Sequence, residues 1–351
     1  MYIVVAIIAF GLLIAVHEVG HFTAAKLLHV RVNEFAIGMG PKILWKKGKE
    51  TLYSLRVFPF GGFCAMDEDI ASDDPRAFTA QKRWRRAVIL AAGGAANLLA
   101  AFIIILILVS GMKGFAGTTI TKLEKGFPDD GENGLMVGDT IVSINGEKLY
   151  FIDDFPFLMD LSQSNRVDVV LRRGGDVVNL KGYLLERREY IIDGEPEFRF
   201  GITFNAIEPS VIAKLKYSCY MTINNVRLVR LSVAQLISGA AGVRDLAGPV
   251  AIVDAMNDIG RRAPSVGAAL SSIANFTAFI AVNIAIVNFL PIPAMDGGRI
   301  LFVFLSWIIE RVTRRRLDPK YEGYIHAATF ALLLCLMAFI LVNDVLRIIS
   351  S

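Results

Sequence analysis

Residues 87–112 run for twenty-six positions without one charged side chain. A helix rising ~1.5 Å per residue needs ~20 apolar residues to cross a hydrocarbon core of ~30 Å. A helix that is apolar all round must be buried in a large core or in lipid. Three more segments have the same character. Residues 3–16 are uncharged and continue, after His17, Glu18 and His21, into 22–28, which holds only Lys26. Residues 263–295 are uncharged but carry Asn275, Asn283, Asn288, Pro291 and Pro293. Residues 323–343 form the fourth. The pattern predicts a polytopic α-helical membrane protein with four transmembrane helices. Composition agrees, with 54% apolar and 20% charged residues and a mean hydropathy of +0.51. Disorder and collagen-like repeats are excluded by the same balance. A net charge of +4 is too small to argue for a nucleic-acid partner. Cys64, Cys219 and Cys335 are too few and too scattered for a disulfide framework or a cysteine zinc ribbon. The first run lacks the basic start and the small-residue cleavage site of a signal peptide.

Lys and Arg near the span ends set orientation. Residues 22–86 hold twelve of them, four at Lys82, Arg83, Arg85 and Arg86 against the second span. Residues 296–322 hold Arg299, Arg311, Arg314, Arg315, Arg316 and Lys320. Both connections are expected in the cytoplasm, which places both termini and residues 113–262 outside. The organisation expected is an N-terminal membrane part (1–112), an extracytoplasmic domain (113–206), an amphipathic connector (207–262) and a C-terminal membrane part (263–351).

The outer segment is too long for a loop. Residues 118–123 and Thr140–Ile144 read as strands, the second running into the turn dipeptide Asn145-Gly146. Residues 167–172 and 177–180 flank Gly174-Gly175 as a second hairpin, 152–161 reads as a helix, and 199–205 as a further strand. The string Gly134-Leu135-Met136-Val137-Gly138-Asp139-Thr140-Ile141-Val142-Ser143-Ile144-Asn145-Gly146 resembles the bacterial PDZ signature. It departs from that signature just before Gly134, where Phe127-Pro128-Asp129-Asp130-Gly131-Glu132-Asn133 stands in place of small apolar residues. PDZ domains capture extended chain ends by strand addition. After this module, residues 210–243 are helix-like and amphipathic, and the uncharged run 231–243 is too short to span and is expected at the interface.

His17-Glu18-Val19-Gly20-His21 is an H-E-x-x-H motif. Residues i and i+4 lie about 40° apart around a helix, so both imidazoles face one side and can share a zinc ion. Glu18 stands beside them as a base for water. Ionisable groups inside a span cost ~2.5–3.5 kcal/mol each, and metal binding supplies a reason for three in five residues. Catalytic zinc takes three protein ligands. His29 lies in a basic, loop-like region and His326 opens the fourth span. The third candidate, Asp296, ends Asn288-Phe289-Leu290-Pro291-Ile292-Pro293-Ala294-Met295-Asp296-Gly297-Gly298, where two prolines break a helix at membrane depth. Irregular backbone is tolerated there only inside protein or along a water-filled cavity.

H-E-x-x-H in the first span, N-x-x-P-x-P-x-x-D-G-G closing the third and a PDZ-like insert between spans two and three together resemble the site-2 protease family. The likeness is to bacterial regulated intramembrane zinc metalloproteases with one PDZ domain, and it covers nearly the whole chain. It implies one Zn²⁺ held by His17, His21 and Asp296, with Glu18 as general base. The family's small-residue stretch in the second span matches Gly93-Gly94-Ala95-Ala96-Asn97, with glycine where many members have Gly-Pro. Asn97 either orients substrate or stabilises the oxyanion, or makes an interhelical hydrogen bond. A membrane-associated β-hairpin is expected from 35–44 and 51–58, and Leu246-Ala247-Gly248-Pro249 matches a stretch before the third span. Asn97 and Asn288, with Pro291 and Pro293, are expected along the path of an unwound substrate.

The implied activity is hydrolysis of peptide bonds inside transmembrane segments of single-span proteins, such as anti-sigma factors or signal-peptide remnants, after an earlier extracytoplasmic cut. Other implied partners are membrane lipid and peptide ends at the PDZ-like domain. The implied place is the bacterial cytoplasmic membrane, with the active site toward the cytoplasm. A metal transporter would also place His and Asp in spans. A non-catalytic PDZ scaffold is the other alternative.

Overall fold

The computed structural model describes residues 2–67, 74–127, 131, 133–152, 154–162, 164–192, 195–239, 248–314 and 319–350. The chain divides into two compact units, Met1–Leu108 with Met221–Ser351, and Val109–Tyr220. The first unit opens with α1 (Tyr2–Leu27), an unbroken helix with no proline. Its buried residues, Ala6, Leu13, His17, His21 and Ala25, fall on one stripe, so the imidazoles continue the helix's packed face. The helix stops where His29 turns left-handed at φ 60 and the Val30 amide closes back on the Ala25 carbonyl.

Two strands follow, β1 (Val32–Lys47) and β2 (Leu52–Met66). They are longer than the hairpin expected from sequence, and the pairing doubles. Phe35 lies opposite both Cys64 and Tyr53, and Ala36 opposite both Phe63 and Ser54. The extra length folds back because Gly38 and Gly40 (φ 84 and 86) and Gly61 (φ 86) bend the strands. Lys26 at the end of α1 pairs with Glu50 in the β1–β2 turn, and Arg76 holds Glu50 and Asp74 together. This network ties the hairpin turn to the helix end. Next comes α2 (Arg83–Ser110), uncharged from Ala87 onward.

The second unit is built on a six-stranded sheet. Its strands are β3 (Phe115–Leu123), β4 (Thr140–Ile144), β5 (Glu147–Lys148), and, after helix α3 (Asp154–Leu161), β6 (Arg166–Arg173) and β7 (Asp176–Leu184). A separate hairpin, β8 (Arg188–Ile192) with β9 (Glu195–Arg199), precedes β10 (Ile202–Ile207), which returns to the sheet. The order is β10-β3-β4-β6-β7, with β5 on β4. Apolar residues alternating along these strands (Ile120, Ile141, Leu171) pack on Phe155 and Leu158 of α3. Asn145 and Gly146 both take positive φ (49 and 79), as a two-residue hairpin turn requires. Asp139, 1% exposed, accepts two hydrogen bonds from the Arg173 guanidinium and one from the Met136 amide. Helix α4 (Val211–Ile237) begins in this unit.

The remaining helices belong to the first unit. The segment expected as one amphipathic connector is two helices, α4 and α5 (Pro249–Arg262), and residues 240–247 between them, including Leu246 and Ala247, lie outside the described residues. Proline in the first turn of α5 suits its start, where an amide has no helical partner. Helix α5 packs on α1 and on α6 (Val266–Phe289), joined by Ala6, Met256 and Ile273. Ser265 caps α6 by accepting from the Ala268 amide. Then come α7 (Asp296–Thr313) and α8 (Pro319–Ser350). Four helical stretches are long and apolar enough to cross a membrane: Tyr2–Leu27, Arg83–Ser110, Val266–Phe289 and Gly323–Ile340.

Candidate metal centre

His17 and His21 are 8% and 7% exposed, on the face of α1 that meets α2. Two glycines make that meeting close. A Cβ on Gly20 would fall 2.4 Å from the Ala92 carbonyl oxygen, and one on Gly93 would fall 2.4 Å from His21 Nε2. Small residues let membrane helices approach backbone to backbone, and here the approach occurs beside the imidazoles.

Asp296 arrives by a broken helix. Helix α6 ends at Phe289, Leu290 turns extended (φ −61, ψ 143), and the Ile292 amide bonds the Leu290 carbonyl at 2.7 Å. Ala294 is left-handed (φ 76), and α7 starts at Asp296. The two glycines after it lie against this turn. A Cβ on Gly297 would strike the Leu290 carbonyl at 2.4 Å, and one on Gly298 the Ile292 carbonyl at 2.2 Å. Asp-Gly-Gly is therefore the sequence that lets a carboxylate come forward at the first turn of α7.

The three side chains converge. His17 Nε2 is 3.1 Å from Asp296 Oδ2, His21 Nε2 is 3.2 Å from the same oxygen, and the two Nε2 atoms are 3.1 Å apart. Among the described residues this is the one cluster of three metal-ligating groups. His21 Nδ1–H donates to the Ile89 carbonyl at 2.8 Å, which leaves Nε2 with its lone pair. Asp296 Oδ2 is buried without a hydrogen-bond partner, although both imidazoles stand beside it. Two imidazole nitrogens and a carboxylate oxygen thus face one point, an arrangement that suits a bound cation. Three ligands on a tetrahedral ion with bonds of ~2.0–2.1 Å stand ~3.3 Å apart, close to the observed triangle. The residues fit zinc.

Glu18 lies on the same turn of α1, against β2. The Cys64 amide donates to its carboxylate, and a Cβ on Gly62 would lie 3.2 Å from Glu18 Cγ. The strand segment that reaches it thus falls beyond residue 58, where the sequence reading ended the hairpin. Asn97 is fully buried, its Nδ2 is 3.5 Å from His17 Nδ1, and its Oδ1 has no partner. Turning the amide over lets Oδ1 accept from His17 Nδ1–H. Asn288 is half-buried in the last turn of α6, and Pro291 and Pro293 form the turn before Asp296. Among the described residues none of these three hydrogen-bonds the cluster. His29 is exposed beyond the end of α1, and the side chain of His326 is outside the described residues. The Ile89 carbonyl and the Cys64 amide have no signature in sequence, because main-chain groups carry none. Gly20 had one, inside the H-E-x-x-H motif.

The Peptidase family M50 model matches residues 5–336. The chain belongs to this family, the site-2 proteases. A Clostridium acetobutylicum protein bearing a zinc metalloprotease name is 36% identical over 347 residues, covering 98% of this chain and 97% of its own. A Clostridium perfringens protein with the same kind of name is 34% identical over 349 residues, 99% of each chain. The regulator of sigma-W protease RasP of Bacillus subtilis is 24% identical over 440 residues, 99% of this chain and 98% of its own. As a site-2 protease the chain is a zinc metalloendopeptidase and an integral membrane protein. The transporter and scaffold alternatives give way to that membership.

Proposed function

We propose that the chain cuts transmembrane segments of single-span proteins inside the bacterial cytoplasmic membrane, with its active site toward the cytoplasm. The observation that carries the reading is the triangle of His17, His21 and Asp296, with an orphaned carboxylate oxygen, on helices long enough to span. His17, His21 and Asp296 would hold one zinc ion. Zinc, when bound, supplies Lewis acidity for the scissile carbonyl and for water. Glu18 takes a proton from the attacking water on its carboxylate and returns it to the leaving amine nitrogen. The Cys64 amide keeps that carboxylate beside the imidazoles. Ile89 and Asn97 orient His21 and His17 through their Nδ1 atoms, so Asn97 is a positioning residue.

A substrate helix hides its peptide bonds in i to i+4 hydrogen bonds and must unwind before hydrolysis. The edge of β2 near Cys64 offers main-chain partners to an extended segment, and Asn288, Pro291 and Pro293 would line its path. The sheet order with β10 at the edge next to β3, and α3 over the same core, supports a PDZ-like domain outside the membrane. That domain would filter substrates by size or take a trimmed chain end after an earlier cut. The name of the Bacillus subtilis relative favours substrates of the anti-sigma-factor type.

The test is incubation of the purified protein in detergent with tagged single-span substrates, followed by mass-spectrometric mapping of the cut. Cleavage within the apolar segment, abolished by a zinc chelator, is expected. Cleavage confined to soluble flanks would overturn the intramembrane reading.

A further inference from the structure

The second unit has a groove that the proteolytic site does not use. It encloses about 590 Å³ between the start of α4 and strands β3 and β4. Small-molecule sites fall between about 300 and 1,000 Å³. One wall is aromatic. Tyr217 stacks between Phe115 (4.5 Å between ring centres) and Phe151 (4.4 Å), and Tyr150 lies against Tyr220 at 4.7 Å. Among the described residues the charged groups lining it are Lys148, Arg172 and Lys216, with no carboxylate. The two ammonium groups are placed by the rings, Lys148 Nζ 5.3 Å from the Tyr150 centre and Lys216 Nζ 5.7 Å from that of Tyr220.

The strands on its floor, β3 and β4, are interior to the sheet order. The groove's cationic and aromatic side chains supply the means of recognition. The groove also begins where a membrane span ends. Helix α2 stops at Ser110, five residues before Phe115, and Lys214 in the first turn of α4 donates to the Ser110 carbonyl. Beside it Val211 and Ile212 are 75% and 79% exposed, and Ile212 lines the groove. Tyrosines, lysines and exposed aliphatic residues together mark the headgroup level of a bilayer. Basic pockets at that level suit anionic headgroups.

We infer that this groove binds an anionic phospholipid of the surrounding bilayer. Its phosphate lies among Lys148, Arg172 and Lys216, its glycerol region against Tyr150 and Tyr220, and its acyl chains leave past Ile212. The site is separate from the metal centre and requires no hydrolysis.

The test uses the full-length protein in detergent with a photo-crosslinkable phosphatidylglycerol, read by mass spectrometry of the labelled peptides. Labelling is expected on peptides covering α4 near Ile212–Tyr220, competed by phosphatidylglycerol and not by phosphatidylcholine. Arg172→Gln with Lys216→Gln should weaken it about tenfold or more. A double variant with the same charge loss elsewhere on the unit, Lys125→Gln with Lys181→Gln, should leave it unchanged. If the groove variant does not fold, competition on the unaltered protein decides alone. Equal competition by phosphatidylcholine, displacement by inorganic phosphate or an acidic peptide at similar concentration, or labelling elsewhere would each overturn the inference.

Discussion

Replacing Gly93 with alanine adds one methyl group to a transmembrane helix, yet it should empty the metal centre. The new Cβ would have to sit 2.4 Å from His21 Nε2, 2.6 Å from its Cε1 and 2.7 Å from His17 Cε1. Non-bonded heavy atoms rest at ~3.5 Å or more, so an imidazole or a helix must yield by about 1 Å. Metal–ligand distances tolerate about ±0.2 Å. Loss of a group that only orients a ligand already costs ~10–100-fold in metal affinity. Moving two ligands at once should cost at least ~100-fold. Alanine is a better helix former than glycine by ~1 kcal/mol, so α2 itself is not weakened. Gly94→Ala is the control. Its Cβ would meet the Phe289 ring at 2.7 Å, the end of a side chain 38% exposed and free to swing. The assay is zinc content by elemental mass spectrometry, with competition against a chromogenic chelator. Wild-type zinc affinity in Gly93→Ala would refute the contact between α2 and the imidazoles on which the site is built.

Three further outcomes follow from the same geometry. Asn97→Ala should keep the fold and lower zinc affinity ~10–100-fold, whereas Asn97→Asp, which still accepts from His17 Nδ1–H, should recover much of it; chelator competition reads both. Asp139→Ala leaves the Arg173 guanidinium beside an emptied buried position and should destabilise the second unit by about 3 kcal/mol, seen as a lower unfolding midpoint for that unit. The hairpin should loosen in acid. The Lys26 hydrogen bond, opposed by partial burial and aided by Arg76, holds the Glu50 carboxyl below its usual range, and Arg76 draws Asp74 down to about 2. Depressed carboxyl values stabilise above the unfolded value of ~4 and stop doing so as pH falls through the folded one. Hydrogen-exchange protection factors at the β1–β2 turn should hold from pH 6 to 5, fall between about 4 and about 2, depend less on pH in Asp74→Asn, and lose the dependence when Glu50→Gln is added.

The spans were legible because an uncharged run of twenty or more residues has few other uses. The paired histidines were legible because i and i+4 share a helix face, and Asp296 because prolines interrupt a span in front of it. Thr140–Ile144 was legible from β-branched residues leading into Asn-Gly. Other features depend on tertiary context. That β1 and β2 fold back follows from left-handed Gly38, Gly40 and Gly61, and sequence shows the glycines without their φ. The β8–β9 hairpin is half charged and largely exposed, with Ile191 at 78% and Phe198 at 72%, so it lacks the alternation that marks a strand. Helix α4 was legible from the amphipathic pattern over 210–243, whereas α5 after Gly248 was not read as a separate helix. Asn97 carries two readings in sequence, and only the fold brings its Nδ2 to 3.5 Å from His17 Nδ1.

In the proposed function His17, His21 and Asp296 bind zinc while Glu18 moves the proton. The most direct measurement is zinc per chain together with cleavage of a single-span substrate, for the unaltered protein, Glu18→Gln and Asp296→Ala. Glu18→Gln should retain one zinc and lose cleavage by ~10²-fold or more, and Asp296→Ala should lose both. Undiminished cleavage by Glu18→Gln, or full zinc in Asp296→Ala, would contradict the account.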